Sequence, residues 1–153
     1  WMTDYRKPVY LIANQDDVPD LVRQLHAVGI DDIPGFFTSD VAEDYAITLP
    51  NVTAPEVAEA VSAGERLVLD VRNHSEYAEG HIPGALNLMY GQLPPHLAEI
   101  PRDRPIVVAC AGGTRSLIAM SVLLGAGFEQ AANLNGGFDA WRAAGLPALV
   151  QEG

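Results

Sequence analysis

Cys110 is the only cysteine among 153 residues, and it follows directly on a short apolar run, Ile106-Val107-Val108-Ala109. Behind it come Ala111, Gly112, Gly113, Thr114, Arg115 and Ser116, and then an apolar-periodic stretch. That order reads as a strand, a tight loop and a helix N-terminus. A thiol at the strand end faces backbone N–H groups and the positive end of a helix. Such a setting favours the thiolate and steadies negative charge on or beside the sulfur. The chemistry it suits is covalent: a sulfur nucleophile takes up a group and passes it on. Gly112 and Gly113 can adopt positive φ, which lets successive N–H groups turn inward around the sulfur. Arg115 stands at a positive helix end, where a cation without a partner is unfavourable. Its guanidinium is therefore assigned to loop carbonyls or to an oxygen of the substrate. Thr114 and Ser116 add hydroxyl donors or cap the helix.

An arbitrary single cysteine is usually an inert, buried small residue; the strand–loop–helix setting is what argues for a nucleophile. Asp70 and Arg72 end the run Leu67-Val68-Leu69-Asp70-Val71-Arg72; a local salt bridge and turn is the favoured reading, charge support of the cysteine loop the alternative. His81, in Gly80-His81-Ile82-Pro83-Gly84-Ala85, reads as a hydrogen-bonded loop histidine rather than a base, and Trp141 as core. His26, His74, His81 and His96 lack metal-ligand spacing and there is no cysteine pair, so no metal or other cofactor is expected in this chain.

The elements that must position Cys110 follow from periodicity and punctuation. Lys7–Ala13 reads as a buried strand. Acidic Asp16 and Asp17 open a helix carrying Val18, Leu21, Val22, Leu25 and Val28, stopped by Gly29. Ile33–Phe37 suggests a strand, Ser39-Asp40 a helical turn through Tyr45, and residues 46–54 a linker. Thr53 is placed to cap a helix over Pro55–Ala63, with proline early, where no N–H is missed. Leu67–Arg72 and Ala85–Leu88 read as strands, with a helical turn starting at Ser75 between them. Leu93, Leu97 and Ile100 have helical spacing up to Pro101. The strand Ile106–Ala109, a helix Ser116–Gly125, the strand Ala131–Leu134 and a last helix opening at Gly136-Gly137 complete the chain. Strands alternating with helices predict an α/β fold with a mostly parallel sheet. Ligands of such sheets sit beyond the carboxyl ends of the strands, where Cys110 falls.

The formal net charge is −11, and Lys7 is the only lysine among nine basic residues. That balance argues against nucleic acid and anionic membranes as partners. An anion site must then be locally positive, and backbone amides with an arginine supply this. No apolar run approaches the roughly 20 residues a bilayer span needs, and no signal-peptide pattern opens the chain. One cysteine suits a reducing, cytoplasmic setting.

An imperfect repeat is also present. Pro8-Val9-Tyr10-Leu11-Ile12-Ala13 aligns with Pro105-Ile106-Val107-Val108-Ala109-Cys110, and Leu25–Ile30 with Leu123–Phe128. Residues 1–48 thus read as a partial, degenerate half-domain and linker before a full domain over 49–153, whose active-site loop is 110–115.

Residues 53–147 resemble a rhodanese domain, the sulfurtransferase family. The resemblance rests on Leu69-Asp70-Val71-Arg72, Gly80–Ala85, the cysteine loop and Gly136-Gly137-Phe138-Asp139-Ala140-Trp141, in that order. It implies a three-layer α/β/α fold with Asp70 and Arg72 on a strand neighbouring the site. It also implies transfer of a sulfane sulfur through a Cys110 persulfide to a thiol or other nucleophile. Four residues separate Cys110 from Arg115; cysteine-dependent phosphatases resemble this layout but place five there, a wider cradle for phosphate. The loop lacks the extra basic residue of many thiosulfate-using rhodaneses, so a thiol persulfide such as glutathione persulfide is as good a donor as thiosulfate. Residues 1–48 are similar to the inactive rhodanese module of proteins fused to a metallo-β-lactamase domain, some of them persulfide dioxygenases; there the missing domain would hold iron or zinc. The alternative this leaves is a non-catalytic module that docks or regulates such a domain.

Overall fold

The computed structural model describes residues 7–41 and 48–151. The chain divides into two units, Trp1–Thr48 and Leu49–Gly153. In the first, strand β1 (Tyr10–Ile12), a 3₁₀ turn (Gln15–Asp17), helix α1 (Val18–Ala27) and strand β2 (Gly35–Phe37) follow one another. The two strands pair in parallel, Leu11 opposite Phe36. The acids at Asp16 and Asp17 form the 3₁₀ turn, and the helix proper starts only at Val18 with a proline in its first turn.

The expectation of a buried strand over Lys7–Ala13 is corrected. Tyr10 is 56% and Ile12 63% exposed, and no described residue of this unit is fully buried. Successive strand residues point to opposite faces, and two strands with one helix cannot cover both. The helical turn expected through Tyr45 lies over residues 42–47, outside the described residues.

The second unit carries the cysteine. Its elements are β3 (Asn51–Val52), α2 (Ala54–Ser62), β4 (Leu67–Asp70), α3 (His74–Glu79), β5 (Leu86–Asn87) and α4 (Leu93–His96). There follow β6 (Ile106–Ala109), α5 (Thr114–Gly125), β7 (Ala131–Leu134) and α6 (Gly137–Ala143). All strand pairs are parallel, in the order β3-β7-β6-β4-β5. A short strand at Asn51–Val52 thus replaces part of the expected linker, because it finds β7 as a partner. Thr53 does open α2: its N–H and hydroxyl donate to Glu56 Oε2 at 2.7 and 2.6 Å.

Alternation along the strands feeds two apolar layers. Val108, Leu69 and Ile106 pack with Met120, Leu123 and Leu93 on the α4/α5 face. Val107, Ala109 and Val68 pack with Val57, Val61, Phe138 and Trp141 on the α2/α6 face. This is the expected α/β/α arrangement, with β6 central and bare of charge because it is covered on both sides. Among the described residues no helix is long and apolar enough to cross a membrane.

Candidate active site

The Cys110 thiol lies at the carboxyl end of β6, and the residue is 1% exposed. The next elements turn the chain sharply around it. Gly113 has φ +98° and stands at the N-cap of α5, a left-handed conformation that side chains resist. Its N–H donates to Cys110 Sγ at 3.1 Å. Ser116 Oγ is 3.5 Å from the same sulfur and donates to the Gly113 carbonyl at 2.8 Å. The sulfur is thereby held between a loop amide and a buried hydroxyl at the positive end of a twelve-residue helix.

Several expectations for the loop are refined. The helix begins at Thr114, two residues earlier than Ser116, because Gly113 itself supplies the turn. Neither Thr114 nor Ser116 caps it: Thr114 is exposed in its first turn, and Ser116 is turned inward to the sulfur. Gly112 does not need positive φ; only Gly113 of the two adopts it. One N–H, that of Gly113, reaches the sulfur.

The other side of the loop explains its shape. The Cys110 and Ala111 carbonyls accept from the N–H groups of Phe138 and Asp139, at 2.7 and 3.1 Å. A trans peptide points its C=O and N–H in opposite directions. Anchoring these two carbonyls on α6 therefore turns the N–H groups of Ala111 and Gly112 away from α6. Gly137, at φ +58°, is pressed against this contact: a Cβ there would lie 2.3 Å from both carbonyl oxygens. Gly137→Ala should thus cost about 2–4 kcal/mol through backbone strain and overpacking. Urea unfolding checks this, and a variant as stable as the parent would refute it.

Arg115 is corrected most. Its hydrogen-bond partner is not a loop carbonyl. Its Nη1 and Nη2 donate to Glu76 Oε2 and Oε1, each at 2.7 Å, in a two-pronged pair. That hydrogen bonding, chiefly, raises the guanidinium's proton affinity further, with the charge of Cys110 adding to it. Conversely, Arg115 holds the Glu76 carboxyl below its ordinary value of 4.5. A carboxyl depressed by folding contributes stability that is complete above its unfolded-state value and lost as pH falls through the folded one. Stability should therefore decline on acidification below pH 4.5, the ordinary Glu76 value, and Glu76→Gln should flatten that part of the stability–pH curve. Chemical denaturation across pH measures it.

Asp70 and Arg72 form a buried pair, 1% and 4% exposed. Strand β4 ends at Asp70 rather than Arg72, because Arg72 folds back: Nη2 reaches Asp70 Oδ2 at 2.6 Å and the Gly80 carbonyl at 2.7 Å. The same guanidinium lies 4.4 Å from the Phe138 ring centroid. Support of the loop thus passes through Phe138, whose N–H holds Cys110. His81 is a loop histidine: Nδ1 is 3.0 Å from the Tyr77 carbonyl and the ring stacks on Tyr77. Trp141 is core, its Nε1 donating to the Pro147 carbonyl at 2.7 Å. Among the described residues no three His, Cys, Asp or Glu side chains converge as a metal site.

Glu76 does not stand out from the residues alone, and Gly136–Asp139 reads there only as a helix opening and a family motif. Glu76 lies in the helical turn expected from Ser75 and is the acid of a capping box with Asn73, which hides its second role. Gly136–Asp139 carried a usable signal, since paired glycines between strand and helix mark close backbone approach.

Comparison with known proteins decides the family. The family model described as a rhodanese-like domain matches residues 53–144. The chain belongs to the rhodanese-like family. A curated sulfurtransferase of Allochromatium vinosum is 41% identical over 87 residues, covering 57% of this chain and 81% of that protein. The thiosulfate sulfurtransferase GlpE of Stutzerimonas stutzeri is 35% identical over 88 residues, covering 58% and 81%. Among solved structures, a rhodanese-related protein of Thermoplasma volcanium superposes with a TM-score of 0.62 at 27% identity, covering 67% of this chain and 99% of its own. The matched rhodanese-like region contains every site residue described above.

Proposed function

We propose that this rhodanese-like protein is a sulfurtransferase with Cys110 as its nucleophile. The observation that carries the reading is the Cys110 sulfur at the helix N-terminus, hydrogen-bonded by Gly113 N–H at 3.1 Å; the names of its relatives agree with it. The thiolate attacks the sulfane sulfur of a donor, thiosulfate or a thiol persulfide. The donor's S–S bond breaks and its electron pair leaves with sulfite or a thiolate, while a new S–S bond forms on Cys110. The terminal persulfide sulfur then carries the negative charge, where loop amides and the α5 dipole stabilise it. A thiol acceptor attacks that sulfur and releases the Cys110 thiolate.

Mass measurement of the intact reduced protein after exposure to thiosulfate, and separately to glutathione persulfide, tests this. One added sulfur on Cys110, removed again by excess thiol, is the expected result. A folded sample that gains none with either donor overturns the reading. The proposal extends to residues 1–48 as the remnant of a second rhodanese-like copy joined to a metallo-β-lactamase domain with its own iron or zinc; reading the gene upstream of the Trp1 codon tests that part.

A further inference from the structure

The Cys110 loop carries one arginine, Arg115, and its charge is matched by Glu76. Arg115 is the only basic residue between Cys110 and Ser116, and both its terminal nitrogens are bound by Glu76. The pair is 30% and 31% exposed in its side chains, and Gly112 and Thr114 of the same loop are exposed, so solvent reaches the loop beside it. The second arginine of the region, Arg72, is buried and neutralised by Asp70. The protein as a whole carries −11. With both arginines matched, the loop amides and the helix end, equivalent to about half a positive charge, are left to attract an anion.

We propose that Glu76 sets the donor's charge: by neutralising Arg115 it disfavours dianionic donors relative to those whose sulfane sulfur carries a single negative charge. This deepens the sulfurtransferase reading and rests on it. Thiosulfate, a dianion, brings two charges to a loop that offers about half of one, whereas an organic persulfide or a thiosulfonate presents one at the reacting end. Glu76 acts here through Arg115 and through its own field, so it is a positioning and selecting residue rather than a catalytic one.

Two donors that differ by one charge at the same reacting group isolate the effect: thiosulfate and methanethiosulfonate. In each the thiolate takes the sulfane sulfur, and the electron pair of the broken S–S bond leaves with sulfite or methanesulfinate, so no oxidant is needed. We would measure kcat/KM for both with a thiol acceptor. Glu76→Gln removes the charge and can still accept from Asn73 N–H and Arg115. It should raise the ratio of thiosulfate to methanethiosulfonate activity roughly 10-fold at low salt, the order expected for removing one partly screened charge, and less at high salt. Glu76→Asp, which keeps the charge, should hold the ratio near that of the parent. A ratio unchanged in Glu76→Gln leaves Glu76 as a helix cap only and overturns the proposal. Failure of the parent to take sulfur from either donor would instead sink the sulfurtransferase reading itself.

Discussion

Cys110→Ser should abolish sulfur transfer, with turnover falling by more than about 10³-fold because the covalent step has no other nucleophile. The substitution exchanges a large, polarisable and nucleophilic sulfur for a far weaker hydroxyl nucleophile. It also removes the S–S bond on which the intermediate depends; an oxygen in its place cannot hold a sulfane sulfur. Folding should survive. A serine Oγ can accept from Gly113 N–H as Sγ does, and the cavity it leaves is smaller than a methylene, so the stability change should stay within about 1 kcal/mol. Turnover assays and urea unfolding on the same preparation separate the two effects. A folded serine variant that still transfers sulfur would show that Cys110 is a core residue. Loss of activity with loss of folding would instead show that the buried thiol is needed for packing.

Arg72→Ala should destabilise the second unit by about 3–5 kcal/mol, because it leaves the Asp70 carboxylate buried and unpaired. Asp70 keeps the hydrogen bond from the backbone N–H of residue 72, at 3.1 Å. The loss reaches the site by a short route. Arg72 bonds the Gly80 carbonyl and lies on the Phe138 ring, and Phe138 N–H holds the Cys110 carbonyl at 2.7 Å. Sulfur uptake per folded molecule should therefore fall as well. Removing both charges, as Asp70→Asn with Arg72→Met, should recover most of the stability, since replacing a buried ion pair with matched neutral groups is often neutral. Urea midpoints for the single and double variants read this out. If Arg72→Ala alone lowers stability by less than about 1 kcal/mol, the pair is no support for the loop.

The sequence by itself determined the unit that carries the chemistry. Ile106–Ala109, Cys110, the small loop and the apolar-periodic helix are contiguous, so strand, turn and helix end follow from local rules, and Thr53 with Glu56 names its own helix start. The parallel α/β class follows for the same reason, from the alternation of short strands with helices. What only the tertiary structure decided are the partners. Arg115 finds Glu76, 39 positions away, rather than its own loop; the loop carbonyls find α6; and Asn51–Val52 becomes a strand only because β7 lies beside it. Local pattern also failed at Tyr10 and Ile12, whose continuous apolar run promises burial that two strands and a helix cannot provide. Periodicity reports which face of an element wants cover, whereas the cover itself comes from residues far along the chain. The charge beside Cys110 is of that second kind, because a carboxylate on a distant helix settles what an arginine in the loop is free to bind.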